Sequence, residues 1–267
     1  MTRPSGDVRR PEAPDVAPTA DDQGGDPDLL ALLLRTAGPD PIRHVERLAA
    51  RAGQPADWPS WVATGLIETL AAQGVRRPWR HQAAAADLAW SGSHVVVATG
   101  TASGKSLAYQ LPVLTRLAND ERACALYLSP TKALAADQLD SLQGLAPQGI
   151  RPAAYDGDTP MDERDWVRSH ARLVLTNPDM LHRGILPAHA RWSRLLRRLQ
   201  FVVVDECHSY RGVFGSHVAL VLRRLRHIAR RYGSDPVFIL ASATVADPAA
   251  AATRLIGSDV RAIVDDA

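Results

Sequence analysis

The stretch A-T-G-T-A-S-G-K-S, Ala98 to Ser106, decides how this chain is read. An apolar run, His94–Ala98, leads into it, and a helical pattern, Gly104–Leu117, leads out. A strand followed by a glycine-bearing loop and a helix N-terminus aims backbone N–H groups at phosphate. Gly100 and Gly104 let the backbone approach closely, Lys105 is placed to reach β and γ phosphates, and Ser106 to hold magnesium. Thr101, Ala102 and Ser103 fill the middle of the loop. The strict pattern G-x-x-x-x-G-K-[ST] fails at its first position, which is Thr99.

A second stretch, V-V-V-D-E-C-H from Val202 to His208, complements the first. Asp205, 100 residues after Lys105, ends an apolar strand and is placed to hold magnesium. Glu206 is placed to orient or deprotonate a water. Cys207 reads as a small buried side chain, and His208 as a polar bridge between motifs. Farther on, the hydroxyls of Ser242-Ala243-Thr244, which follow the apolar run Val237–Ala241, are expected to bond back to the acidic pair.

Between and around these motifs, apolar runs alternate with helical patterns. His94–Ala98, Ala123–Ser129, Pro152–Tyr155, Arg172–Thr176, Phe201–Asp205 and Val237–Ser242 read as buried parallel strands, with Val260–Val264 as a closing strand. Gly104–Leu117, Thr131–Gln143, Asp162–His170, Arg191–Arg198 and Ser216–Arg231 read as the helices between them. The class is α/β, an open and mostly parallel sheet with helices on both faces. Upstream, three short helices are expected at Leu29–Thr36, Pro41–Gly53 and Pro59–Gln73, with Trp58 and Trp61 as packing anchors. Residues 1–28, rich in Pro, Asp, Gly and Ala, are expected to be disordered. The expected organisation is thus a tail (1–28), a helical segment (29–74) and an α/β domain (75–267).

Composition sets outer bounds. Of 31 basic residues only Lys105 and Lys132 are lysines, and both fall inside motifs where a compact ammonium is not replaced by a planar guanidinium. Net charge is +2, with an acidic tail and a mildly basic body that suits a polyanion partner. Two cysteines argue against a disulfide framework or a zinc site. No run of 18 apolar residues and no signal-like N-terminus are present, so a cytoplasmic protein without a membrane partner is expected.

With these residues quoted, the chain resembles the first RecA-like domain of a superfamily 2 DExH/DEAD-box helicase, and within that group the MrfA/YprA-like helicases. V-V-V-A-T-G-T-A-S-G-K-S-L-A-Y-Q-L-P-V-L, L-S-P-T-K-A-L-A-A-D-Q-L, Y-D-G-D-T-P, L-T-N-P-D-M-L-H and H-S-Y-R-G-V-F-G-S-H-V-A-L-V-L-R-R-L carry the resemblance. It implies a P-loop NTPase using ATP and Mg2+, ATP-driven movement 3′-to-5′ on single-stranded or partly duplex DNA, and a DNA-repair setting. RNA, as in DEAD-type helicases, and a non-catalytic nucleic-acid-binding fragment stay open as alternatives. By the same resemblance Gln82 reads adenine, although Gly65 stands where an upstream aromatic is common. Trp79 serves as a stacking face or as core. Pro130-Thr131-Lys132, Gly157 and Thr176-Asn177-Pro178-Asp179 grip the nucleic-acid backbone. Tyr210 to His217 forms a sensing loop, and the arginines of Ser216–Arg231 form a solvated face. The family's second RecA-like domain and four-cysteine region have no counterpart in these 267 residues, which implies a piece of a longer helicase.

Overall fold

In the computed structural model, which describes residues 32, 35–36, 53–100 and 103–265, the apolar runs become seven strands. They are β1 Val95–Ala98, β2 Cys124–Leu128, β3 Pro152–Ala154, β4 Leu173–Thr176, β5 Leu199–Val204, β6 Val237–Ser242 and β7 Arg261–Ile263. The longer helices are α1 Thr64–Ala72, α2 Arg80–Trp90, α3 Ser106–Asn119, α4 Lys132–Leu145, α5 Met161–His170, α6 Ser193–Arg197, α7 Gly212–Arg231 and α8 Pro248–Ile256. The expected tail 1–28 lies outside the described residues. So do Thr101 and Ala102, and the expected helix Pro41–Gly53 apart from Gly53. Of Leu29–Thr36, only Leu32, Arg35 and Thr36 are described, and they are helical.

All neighbouring strands run parallel, in the order β3-β4-β2-β5-β6-β1-β7. A strand's side chains alternate between faces, so each apolar strand feeds two cores. Val95, Val97, Tyr127, Phe201, Val203 and Ile239 face one core with α1 to α4. Val96, Leu126, Val202, Val204 and Leu240 face the other with α7 and α8. The segment 29–74 contributes its last helix to this same sheet, because Leu66 and Leu70 of α1 belong to the first core.

Three elements depart from expectation. Helix α2 was not foreseen: four successive alanines, Ala83 to Ala86, are strong helix formers but blur any contrast between apolar and polar faces. Helix α1 starts at Thr64, because Pro59 instead opens a turn closed by the Val62 N–H on its carbonyl (3.0 Å). Helix α7 starts at Gly212, taking in most of the expected sensing loop.

Register decides what the sheet presents. Ala98 pairs with Ser242, Val204 with Leu240 and Leu128, and Leu128 with Thr176. The residues that follow these positions emerge together along one carboxyl edge, where open α/β sheets bind ligands.

Candidate active site at the carboxyl edge of the sheet

The loop after β1 is closed on itself. Thr99 Oγ1 and Ser103 Oγ lie 2.6 Å apart, and Lys105 Nζ donates to the carbonyls of Gly100 (2.8 Å) and Thr99 (3.2 Å). Gly104 has φ +69°, which favours glycine, and a Cβ there would lie 2.6 Å from Gln82 Nε2 and displace that amide. Beneath the loop, Gln82 is only 4 % exposed. Its Nε2 donates to Gly104 O (3.0 Å) and Ser103 O (3.2 Å), and its Oε1 accepts from Trp79 N (2.8 Å). The side chain expected to read adenine thus braces the Thr99–Ser106 loop: both N–H protons of its amide are taken, while Oε1 keeps one lone pair. Trp79 is 42 % exposed, which removes it from the core.

The acidic pair stands at the end of β5. Asp205 is 8 % exposed; one carboxylate oxygen takes the hydroxyl of Tyr127, and the other takes Glu206 N–H (2.9 Å). Burial pushes its carboxyl above the usual range, opposed by the Tyr127 hydrogen bond. Glu206 sits at φ +46°, a left-handed conformation that glutamate rarely adopts and that marks strained functional positions. Cys207, expected to be buried, is half-buried, and desolvation pushes its thiol up to about 12.

His208 joins this end to β6. Its Nδ1 accepts the Ala243 N–H (3.0 Å), which puts the neutral ring's proton on Nε2. Glu206 Oε2 also lies 3.1 Å from Nδ1. The two contacts compete for one atom, and the Ala243 bond prevails for a neutral ring because a backbone N–H always donates. The link between the acidic motif and Ser242-Ala243-Thr244 therefore runs chiefly through a backbone N–H. The Ser242 hydroxyl donates to Ala243 O (2.7 Å) and also reaches the Cys207 thiol.

Sequence reasoning missed a polar chain buried under these groups. Tyr109 of α3 contacts Ser106 Oγ (3.1 Å) and Gln138 Oε1 of α4 (2.9 Å), and its ring lies 5.7 Å from that of Tyr127. The one available signal was a tyrosine in each of two otherwise aliphatic runs.

The expected nucleic-acid residues divide. Thr131, Lys132, Gly157 and Asp179 are exposed; Lys132 pairs with Asp158, and a Cβ on Gly157 would lie 4.0 Å from Lys132 Nζ. Thr131 and Asn177 cap helices through Leu134 N (3.3 Å) and Met180 N (2.8 Å), with Pro130 half-buried beside the former. Thr176 is 2 % exposed and gives its hydroxyl to Tyr155 O (2.6 Å), and Pro178 is buried, so both support the edge from below. The arginines of α7 are not simply solvated. Arg226 donates to Ile256 O and Gly257 O, and Arg223 to Arg254 O, closing the C-terminus of α8. A cavity of about 850 Å³ lies between α7 and α8 and meets the edge through Cys207, His208 and Ser242.

Comparison with known proteins gives this geometry its relatives. The chain is 43 % identical over 241 residues to the uncharacterized ATP-dependent helicase YprA of Bacillus subtilis (strain 168), covering 89 % of this chain and 32 % of the relative. It is 42 % identical over 201 residues to ATP-dependent helicase hrq1 of Schizosaccharomyces pombe, covering 73 % and 19 %. It superposes on the DUF1998 helicase MrfA bound to DNA and AMPPNP with TM-score 0.82 and 42 % identity, covering 89 % and 34 %. The chain therefore spans about a third or less of the length of these relatives. Among the described residues no helix is long and apolar enough to cross a membrane. The DEAD/DEAH box helicase family matches residues 79–252, which is more than half of the sequence, and the chain belongs to that family.

Proposed function

We propose that this chain is the ATP-binding part of an ATP-dependent DNA helicase. The reading stands on the order of three motifs along one edge. Strand β6 separates β1 from β5, so the loop Thr99–Ser106 and the pair Asp205-Glu206 stand two strand spacings apart, about 10 Å, with Ala243 between them. That gap suits the phosphates of a nucleotide, cradled from one side and faced by carboxylates from the other.

Magnesium suits the donors present. Ser106 and Asp205 offer oxygen, and among the described residues no three of His, Cys, Asp or Glu gather into a metal cluster. Mg2+ takes few protein oxygens and fills its remaining positions with water and phosphate. When bound, it neutralises charge developing on the phosphates. Lys105 holds the β and γ phosphates once it leaves the loop carbonyls. Glu206, fixed beside Asp205 by its strained backbone, orients the attacking water and takes its proton. His208, tied to Ala243, passes a shift at the acidic pair to the end of β6.

Lys132, Gly157, Thr131 and Asp179 supply a surface for a nucleic-acid backbone, with helix N-termini behind them. The DNA held by the MrfA relative favours DNA. In the whole protein a second RecA-like domain faces this edge and supplies an arginine to the phosphates, a contribution of about 10³–10⁵ in rate in comparable enzymes.

The test is calorimetric ATP binding with and without Mg2+, beside ATP hydrolysis with and without single-stranded DNA or RNA. Expected for this chain are Mg·ATP binding, weak single-strand binding and slow hydrolysis. A chain that binds strand but no ATP is a nucleic-acid-binding module, and preference for RNA makes it an RNA-directed relative. Lys132→Ala is expected to weaken DNA binding several-fold and to lower the slope of log affinity against log salt by about 0.7. Fluorescence anisotropy at several salt concentrations measures this, and an unchanged slope removes Lys132 from the interface.

A further inference from the structure

The buried tyrosines beneath the edge have a chemical role that the phosphate loop and acidic pair do not explain. Tyr109 and Tyr127 are 2 % and 1 % exposed, and each hydroxyl ends on one of the two oxygens placed to hold the metal ion. A buried phenol needs a partner for its hydroxyl, and here the partners are Ser106, Gln138 and Asp205 rather than backbone carbonyls.

The proton count orients the chain. Gln138 Oε1 can only accept, so the Tyr109 proton points at Gln138 (2.9 Å). The Tyr109 oxygen is then an acceptor, and the Ser106 hydroxyl 3.1 Å away directs its proton there. The Ser106 lone pairs are thereby left for a cation, which binds lone pairs and is repelled by a hydroxyl proton. On the other side Tyr127 donates to Asp205, and Glu206 N–H donates to the other carboxylate oxygen. These two bonds fix the plane of the carboxylate while each oxygen keeps a further lone pair.

We infer that Tyr109, set by Gln138, and Tyr127 are positioning residues that orient the Ser106 hydroxyl and the Asp205 carboxylate for magnesium. The inference rests on the Mg·ATP reading above. It also gives Gln138 a second consequence. Helix α4 begins at Lys132, so the element bearing the expected strand contact also sets the hydroxyl that sets Ser106.

The test measures binding of a fluorescent ATP analogue to the 267-residue chain, in Mg2+ and in EDTA, for native protein, Tyr109→Phe, Tyr127→Phe, Gln138→Leu and Gln138→Glu. Orienting groups behind a metal ligand are typically worth about 10–100-fold in metal affinity. In Tyr109→Phe and Tyr127→Phe the gain in affinity given by Mg2+ is expected to shrink by about 10-fold, with affinity in EDTA unchanged. Gln138→Leu should follow Tyr109→Phe, and Gln138→Glu, which keeps an acceptor, should restore the gain. Circular dichroism establishes folding, and if Tyr127→Phe unfolds, Tyr109→Phe and the half-buried Gln138 pair decide the matter. Native dependence on Mg2+ with unchanged variants overturns the tyrosine assignment alone. Equal loss in Mg2+ and EDTA makes the tyrosines merely structural and also overturns it. Native binding that Mg2+ does not strengthen overturns this inference alone, and native protein that binds no nucleotide in either condition overturns the nucleotide reading with it.

Discussion

Lys105→Ala is expected to lower Mg·ATP affinity by about 100-fold, because hydrogen bonds to charged groups are worth about 1.5–3 kcal/mol each. In the structure its ammonium spans the loop and holds the carbonyls of Thr99 and Gly100. Those partners are backbone carbonyls of a half-buried loop, with Thr99 itself 1 % exposed, so the same substitution should cost folding stability about 1 kcal/mol, less than it costs binding. The contrast between a large loss of binding and a small loss of stability is what separates a ligand contact from a structural one. Lys105→Arg should recover little, since a planar fork does not fit where a point charge sits in a closed loop. Calorimetric titration with Mg·ATP, beside thermal denaturation, measures both quantities. Native-like ATP affinity in Lys105→Ala would remove the phosphate-loop reading on which the proposed function stands.

Trp192→Ala is expected to remove about 3–5 kcal/mol of stability, the usual cost of deleting a large aromatic from a core. Trp192 is 1 % exposed and is among the largest fully buried side chains. It lies in the short turn before α6 and meets Tyr155 edge-on, with centroids 4.7 Å apart and planes at 84°. The cavity would open under the β3–β4 corner. There the Tyr155 carbonyl takes the Thr176 hydroxyl, and the chain continues into the loop holding Gly157 and Asp158. Single-strand binding should therefore weaken more than ATP binding in whatever fraction stays folded. Urea denaturation monitored by circular dichroism gives the stability change, and a loss under about 1 kcal/mol would mean that the core closes over the gap.

Local chemistry was legible without coordinates. Apolar runs of four to seven residues between helical patterns announced a buried parallel sheet. The Gly100–Gly104–Lys105–Ser106 spacing announced a glycine-bearing turn from strand to helix. Asp205-Glu206 behind three valines announced a strand-end acid pair. Each depends on neighbours within one turn or one strand, where side-chain period and backbone freedom act directly. The same reasoning failed at α2, where alanines give propensity without a face. It failed again at Thr176, whose motif looks exposed although its hydroxyl is spent inside the sheet.

The sequence by itself determined the α/β class and the family. Tertiary structure decided strand order, which sets β6 between the two motifs, and the partners each motif residue meets. Ala243 finds His208 from 35 positions away, and Tyr127 finds Asp205 from 78. No local pattern encodes those pairings. They arise only when parallel strands align their carboxyl ends, and the low dielectric there forces each buried polar group to find a partner.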